Sequence, residues 1–540
     1  MNLVIRKVFF MCKNSFFIAC MLLFLNHQFA IGSIGKRYNI LDFGAKPDGK
    51  TLNTQAIQNA IDECAGNGGG TVYFPAGMWL TGTVYLENHV TLWLDSGCLL
   101  LGSKEKKDYG RARKLSGKES ETFSYWGIIT GKNLEKIAIR GRGTIDGQGI
   151  NFKYKDGSRP KNVYLESCTD VLIEGVRMRN AGSWMQHYRR CERLTIRDIA
   201  VFNHVSYNND GLNIDSCRDV VITGCTIDSD DDAIVLKSLS LTPCENVTIS
   251  DCIVSSHCNS IKMGTESGGG FQNITVTNCT ICSPRYSKVI YGRQRGLAGV
   301  ALEIVDGGTL DHVVISNLTI RGVTVPIFMR LGNRARIYEE DQSKPSVGKF
   351  SNVIVSNIIA AECSQVGCSI TGLPGHAIEN VTLGNIQLSF EGGGTKDDAL
   401  LDIPEKPASY PESTMFGTLP AYGFFCRHVR GLRFHNLRLE TSTPDYRHAI
   451  VFDDVNDAVI DSIDAPFVAG AEGMISCRDS RNIFIRNCRL PKGTELFLDL
   501  CGSQTNDILL MSNDLSSINQ ISRWRDEVPK SALILQANNL

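Results

Sequence analysis

Asp210, in "SYNNDGLNIDSC", and the pair Asp231 and Asp232, in "SDDDAIVLKS", are separated by 21 and 22 residues in segments otherwise rich in Val, Ile and Leu. Carboxylates in isolated segments ordinarily serve turns, where Asp and Asn hydrogen-bond their own backbone. The spacing suggests more. If about 21 residues complete one turn of a coiled chain, Asp210 and Asp231 stand on neighbouring strands about 4.8 Å apart. Asp232 then points the other way unless the turn re-aims it. Like charges that close repel, so at least one carboxyl is driven toward its protonated form. A proton donor beside an ionised base is what hydrolysis of a glycosidic bond requires.

The elements that must position these side chains are read from a degenerate repeat. "VLIEGV" begins at Val171, "LTIRDI" at Leu194, "VVITGC" at Val220, "VTISDC" at Val247 and "ITVTNC" at Ile274, and the series continues to "ILLMSN" at Ile508. Each unit alternates apolar and polar residues like a half-buried strand, then turns at Asn, Asp or Gly. A period of 20 to 50 residues marks a stacked architecture. Units this short and this β-rich predict an all-β parallel β-helix rather than propeller blades. Cys225, Cys252 and Cys279 recur at equivalent positions and are expected to form a buried thiol stack. "LNTQAIQNAIDECAGNGGG" breaks the pattern. It places Ala56, Ile57, Ala60, Ile61 and Cys64 on one helical face, with Asn53 or Thr54 as N-cap and Gly66 as stop, and is expected to cover the N-terminal end of the coil. The longest interruption between strands is read at about residues 391–430. It carries Tyr410 and Glu412, which are placed to reach over a cleft.

The chain has 540 residues, a net charge of -1, 42% hydrophobic and 8% aromatic residues, which permits a large core and excludes a basic nucleic-acid-binding face. Residues 1–32 read as a secretory leader: Arg6, Lys7 and Lys13, then "FFIACMLLFL", then small residues before cleavage after Gly32. Cys20 offers an alternative reading as a lipid-attachment site. The apolar run is too short for a membrane span. A secreted, periplasmic or extracellular monomer with one domain over residues 33–540 is expected. Seventeen of the 19 cysteines follow the leader, an odd number that leaves at least one unpaired. No cysteine pair is matched to histidines in a zinc spacing, so neither a metal nor a cofactor is expected.

The ordered set "FGAKPDGKTLNTQAIQNAIDEC", "GGGTVYFPAG", "GTIDGQG", "NNDG" at 208–211 and "DDAI" at 231–234 resembles the polygalacturonase family, the family 28 glycoside hydrolases. The resemblance implies a right-handed parallel β-helix that hydrolyses pectic poly- or oligosaccharides with inversion and without metal. It also implies Asp231 as general acid, Asp210 and Asp232 as the base pair that activates water, and Asn208 beside the substrate. Trp184 and His187, in "GSWMQH", match a segment lining the cleft one coil earlier. Two departures stand out. Aligned on Gly264, Asn259 occupies the position of the family histidine, with His257 as an alternative through a local bulge. Ala301 and Glu303, in "GVALEIVDGG", replace the arginine and lysine that bind the substrate carboxylate.

A uronate at that subsite would forgo a charge-assisted pair of roughly 1.5 to 3 kcal/mol. Either Lys262, Arg330, Arg427 and His428 compensate, or the sugar is neutral and Glu303 accepts from its hydroxyls. Short or branched pectic fragments, attacked near a chain end, are therefore the expected substrates. A polysaccharide lyase and a non-catalytic carbohydrate-binding β-helix are the competing readings.

Overall fold

Each repeat unit pairs in parallel with the unit one coil away, so the strands accumulate into a single long parallel β-helix. The structure is a computed structural model that describes residues 36–110, 126–153, 159–286, 288–525, 528–536 and 539. The leader read in residues 1–32, with Cys20, lies outside the described residues. On the face that carries the acidic motifs, β1 (Gln186–Arg189), β2 (Leu212–Asp215), β3 (Ile234–Ser238), β4 (Asn259–Ser267), β5 (Ala298–Ile304) and β6 (Val325–Leu331) stack in that order. The ladder continues through β7 (Cys368–Thr371) and β8 (Ala421–Thr441). Their inward row, Ile214, Leu236, Met263, Leu302, Met329 and Ile370, is fully buried. Each such side chain stabilises the coil by about 1.5 to 3 kcal/mol.

The turns explain the asparagines of the repeat. Asn278, Asn317, Asn357, Asn385 and Asn436 all have φ between 51° and 56°, a left-handed conformation that asparagine tolerates better than most residues. Each of the last four side chains donates to the amide oxygen of the one a coil before, at 3.2, 3.1, 3.0 and 3.0 Å. A second ladder joins Asn246 to Asp219 and Asn273 to Asn246. The "NVT", "NIT", "NCT" and "NLT" tripeptides thus mark turn positions of the coil.

All 17 cysteines among the described residues are free thiols, and all but half-buried Cys282 are buried. Cys225, Cys252 and Cys279 stack as expected, each immediately preceding residues in register. Cys168, Cys191, Cys217 and Cys244 form a second stack at another corner, which the shorter and less regular spacing had hidden.

Helix α1 (Thr54–Gly66) buries Ile57, Ala60, Ile61 and Cys64 against the strands Arg37–Asn39 and Gly70–Phe74. Asn53 stands at the N-cap position as expected, without a capping bond from its side chain. The Asn53 side chain exchanges hydrogen bonds with the Lys46 backbone instead of capping the helix, and Gly66 is the last helical residue, with Asn67 following as C-cap. The long loop also ends earlier, before β8 begins at Ala421. Arg427, His428 and Arg430 are therefore strand residues. Among the described residues no helix is long and apolar enough to cross a membrane.

Native protein treated with a thiol reagent should label chiefly at Cys282, with the two stacks reacting only on denaturation because buried thiols are inert. Rapid native labelling of Cys225, Cys252 and Cys279, read by peptide mass spectrometry, would contradict the assigned register.

Candidate active site

The turns entering β2, β3 and β4 bring the predicted acids together. Ala233 N–H donates to the Asn259 carbonyl and Gly211 N–H to the Asp232 carbonyl, which stacks the three turns one above another. Gly211 has no alternative residue, since a Cβ there would lie 2.3 Å from an Ile227 methyl. Asp210, Asp231 and Asp232 are 2, 7 and 4% exposed. The turn does re-aim Asp232. Its carboxylate accepts from the Asn259 side chain at 2.8 Å and lies 3.2 Å from Lys262 Nζ. Asp231 accepts from the Asp232 N–H at 2.9 Å and from Asn208 at 3.4 Å.

Burial, followed by the charge of Asp232, pushes the Asp231 carboxyl up to about 7. Burial and then the charge of Asp231 push Asp210 well above the usual carboxylate range. Two lysines limit this repulsion: Lys262 beside Asp232, and Lys237, 3.8 Å from Asp210 and 3.1 Å from Glu266. A single proton shared among closely spaced carboxyls is thereby available near neutral pH.

Lys237 was not singled out from the sequence. It ends a column of side chains in register, Lys132, Glu166, Arg189, Asp215 and Lys237, whose charges alternate from coil to coil. Lys161 was also missed. Burial, then Arg159, pushes it down to about 7, and together with Lys237 it lies against the Trp184 ring at 5.2 and 4.8 Å. Trp184 is buried beneath these cations, and His187, fully buried, donates from Nε2 to the Asp215 carboxylate at 3.1 Å. Both side chains are packed rather than presented as an open aromatic platform. The exposed rings are instead Tyr207, Tyr291 and Tyr410, at 44, 50 and 48%. The first two are in edge contact at 6.4 Å.

The altered subsite resolves into two parts. Asn259, the residue that the alignment on Gly264 sets against the family histidine, holds Asp232. His257 Nδ1 instead donates to the Arg293 carbonyl, 2.9 Å away. Lys262 pairs in register with Ala301 and stands 3.7 Å from Glu303. Glu303 is 0% exposed. It is closed to a sugar hydroxyl in this arrangement; burial pushes its carboxyl up to about 8, and the neighbouring Lys262 opposes that rise. Gly264 packs directly over it, and a Cβ there would lie 2.8 Å from the Glu303 Cβ. Ala301 joins Ala298, Val325 and Phe328 in an apolar patch touched by Met415.

The remaining candidate cations do not reach the acids. Arg330 donates to Thr371 and to the carbonyls of Gly372, Glu405 and Lys406. Arg427 binds Asp453, Glu405 and the Ile403 carbonyl, and His428 contacts Asp454 and Glu405. All three anchor the loop of residues 391–420. That loop carries Tyr410 to the cluster, where its hydroxyl accepts from Lys262 at 3.5 Å. Glu412 follows it, and burial raises its carboxyl. The loop closes one side of the acidic cluster.

The profile of Glycosyl hydrolases family 28 matches residues 110–409, and that of Rhamnogalacturonase A/epimerase, pectate lyase-like, matches residues 37–99. A probable polygalacturonase of Vitis vinifera is 35% identical over 215 residues, 37% of this chain and 44% of that protein. The exo-poly-alpha-D-galacturonosidase of Dickeya chrysanthemi is 28% identical over 254 residues, 37% of this chain and 42% of that protein. The chain spans less than half the length of these two curated relatives. The solved structure of a hyperthermoactive exopolygalacturonase from Thermotoga maritima shares the fold, with a TM-score of 0.55 at 21% identity, covering 66% of this chain and 87% of that one.

The raised Asp231 carboxyl has a stability signature. The unfolded chain releases this proton near the ordinary value of 3.8 and the folded chain near 7, so the folded state loses relative stability as pH rises between them. Asp231→Asn should therefore melt above the parent at pH 8, with the difference vanishing near pH 3.5. A variant no more stable than the parent at pH 8 in a thermal scan would contradict the burial-driven shift.

Proposed function

The chain belongs to the glycosyl hydrolases family 28, and on that footing we propose that it hydrolyses glycosidic bonds of pectic oligosaccharides from a chain end, with inversion. The observation that carries this reading is the cluster of three buried aspartates under a loop that closes one side of it. Asp231, protonated up to about pH 7, donates to the leaving-group oxygen. Asp210 and Asp232, each beside a lysine, form the pair that takes the proton of the attacking water, through whichever of the two is ionised. The flanking cations favour an acidic glycan, while the apolar patch at Ala301 and the enclosure of Glu303 remove the pair of cationic side chains that relatives offer a uronate there. Short or branched pectic fragments suit this arrangement better than long unsubstituted polygalacturonan. The leader read in residues 1–32 suits a pectic substrate outside the cytoplasm, and one β-helical domain over residues 33–540 acting as a monomer is sufficient for the chemistry.

Asp231→Asn, Asp210→Asn and Asp232→Asn should each lower kcat/KM by at least about a hundredfold, the usual scale for acid-base groups. The parent's kcat/KM should decline as pH rises through about 7, where Asp231 loses its proton. Near-parental turnover in any variant removes that residue from the mechanism.

Incubation with galacturonan and rhamnogalacturonan fragments, followed by product sizing, should release small end units and leave long polygalacturonan largely intact. Rapid conversion of long polymer to mixed oligomers would overturn end attack. Unsaturated products absorbing in the ultraviolet would replace hydrolysis with elimination.

A further inference from the structure

Beside the acidic cluster, three consecutive coils place His204, Asp230 and His257 at the same corner. The strands Ala200–Asn203, Thr226–Ser229 and Ile253–Ser256 pair in parallel with Asn203, Ser229 and Ser256 in register. The next residue of each coil is one member of the trio. Its backbone is fixed by Asp230 N–H donating to the Asn203 carbonyl and His257 N–H to the Ser229 carbonyl. All three side chains are buried, at 2, 0 and 0% exposure, and one ligand-type atom from each lies within 4.8 Å of the other two.

The outer hydrogen bonds of the two rings set their tautomers. The Arg293 carbonyl 2.9 Å from His257 Nδ1 can only accept, so Nδ1 carries the hydrogen and Nε2 presents a lone pair. Asp228 lies 2.9 Å from His204 Nε2, which places that ring's hydrogen on Nε2 and the lone pair on Nδ1. Among the described residues His257 Nε2 and His204 Nδ1 have no hydrogen-bond partner, an uncommon condition for buried polar atoms. Asp230 is oriented by the Ile290 and Tyr291 N–H groups at 2.8 Å each and retains lone pairs for another acceptor role. An imidazole whose far nitrogen is held by a carboxylate or carbonyl is the usual outer arrangement of a metal-ligating histidine.

We infer that His204, Asp230 and His257 bind a divalent transition-metal ion of the Zn²⁺ type, two nitrogens and one oxygen from the protein leaving a fourth position for water. Ligand bonds of about 2.0 to 2.2 Å would draw the donors somewhat closer than they stand. The ion would tie the turn preceding Asp231 to the coils on either side and to the segment bearing Tyr291. The site is distinct from the sugar-cleaving acids and stands whether or not the proposed hydrolysis is correct.

The test uses the full chain without a histidine tag, stripped with chelator and titrated with ZnCl₂ by calorimetry, with bound metal counted by mass spectrometry. One equivalent of Zn²⁺ and a higher melting temperature are expected. His257→Ala and His204→Ala should each weaken binding by at least about tenfold, and the double variant should lose it. Co²⁺ loaded into the parent should give the visible absorption of a four-coordinate nitrogen and oxygen site, a reading that does not depend on the variants folding. Absence of stoichiometric Zn²⁺ and Co²⁺ binding by the parent, or undiminished binding by a folded double variant, overturns the assignment.

Discussion

One turn of chain lifts the backbone by a single inter-strand spacing of about 4.8 Å, so every side chain faces its own counterpart on the coils above and below. That proximity governs what can occupy each column. Apolar residues stack into the core, thiols stack at two corners and asparagine amides pass hydrogen bonds along the turns. Where charges occupy a column they alternate in sign, as from Lys132 to Lys237. A like-charged column would be repelled at every step.

The acidic cluster departs from that rule, and the departure is what makes it reactive. Three carboxylates share one corner, and the two lysines beside them also face Glu266 and Glu303. Each lysine is therefore shared between an acid of the cluster and an acid outside it. Neutralisation is incomplete, and together with burial, the larger cause, it leaves a carboxyl that retains its proton near neutral pH. Glu303 contributes from beneath by holding Lys262 in place, although the spacing of "GVALEIVDGG" made it look like a sugar ligand.

Much of this was legible in the sequence because short-range patterns survive stacking. The alternation of Val171 to Ile508, the asparagines at the turns and the separation of Asp210 from Asp231 all reflect one coil of nearly constant length. What was hidden depends on register between coils of unequal length. Cys252 and Cys279 are 27 residues apart, yet the next partner of Cys279 is Leu318, 39 residues on, because a loop intervenes. Arg330, Arg427 and His428 belong to the correct face, but the carbonyls and carboxylates of the 391–420 loop that they hold are supplied from a segment without repeat. The same blindness to register separated His204 from Asp230 and His257, although all three lie close to residues already singled out.

The asparagine ladder also bears on how the protein can be made. The tripeptides at Asn246, Asn273, Asn278 and Asn317 have the form of glycan acceptors, and the atom to which a glycan attaches is the same amide nitrogen that each of these side chains donates up the ladder. In the folded molecule that nitrogen is engaged. A eukaryotic production host that modifies chains before they fold would replace one hydrogen of each such nitrogen with a sugar at the crowded turn, whereas a host lacking the transferase leaves the ladder to close.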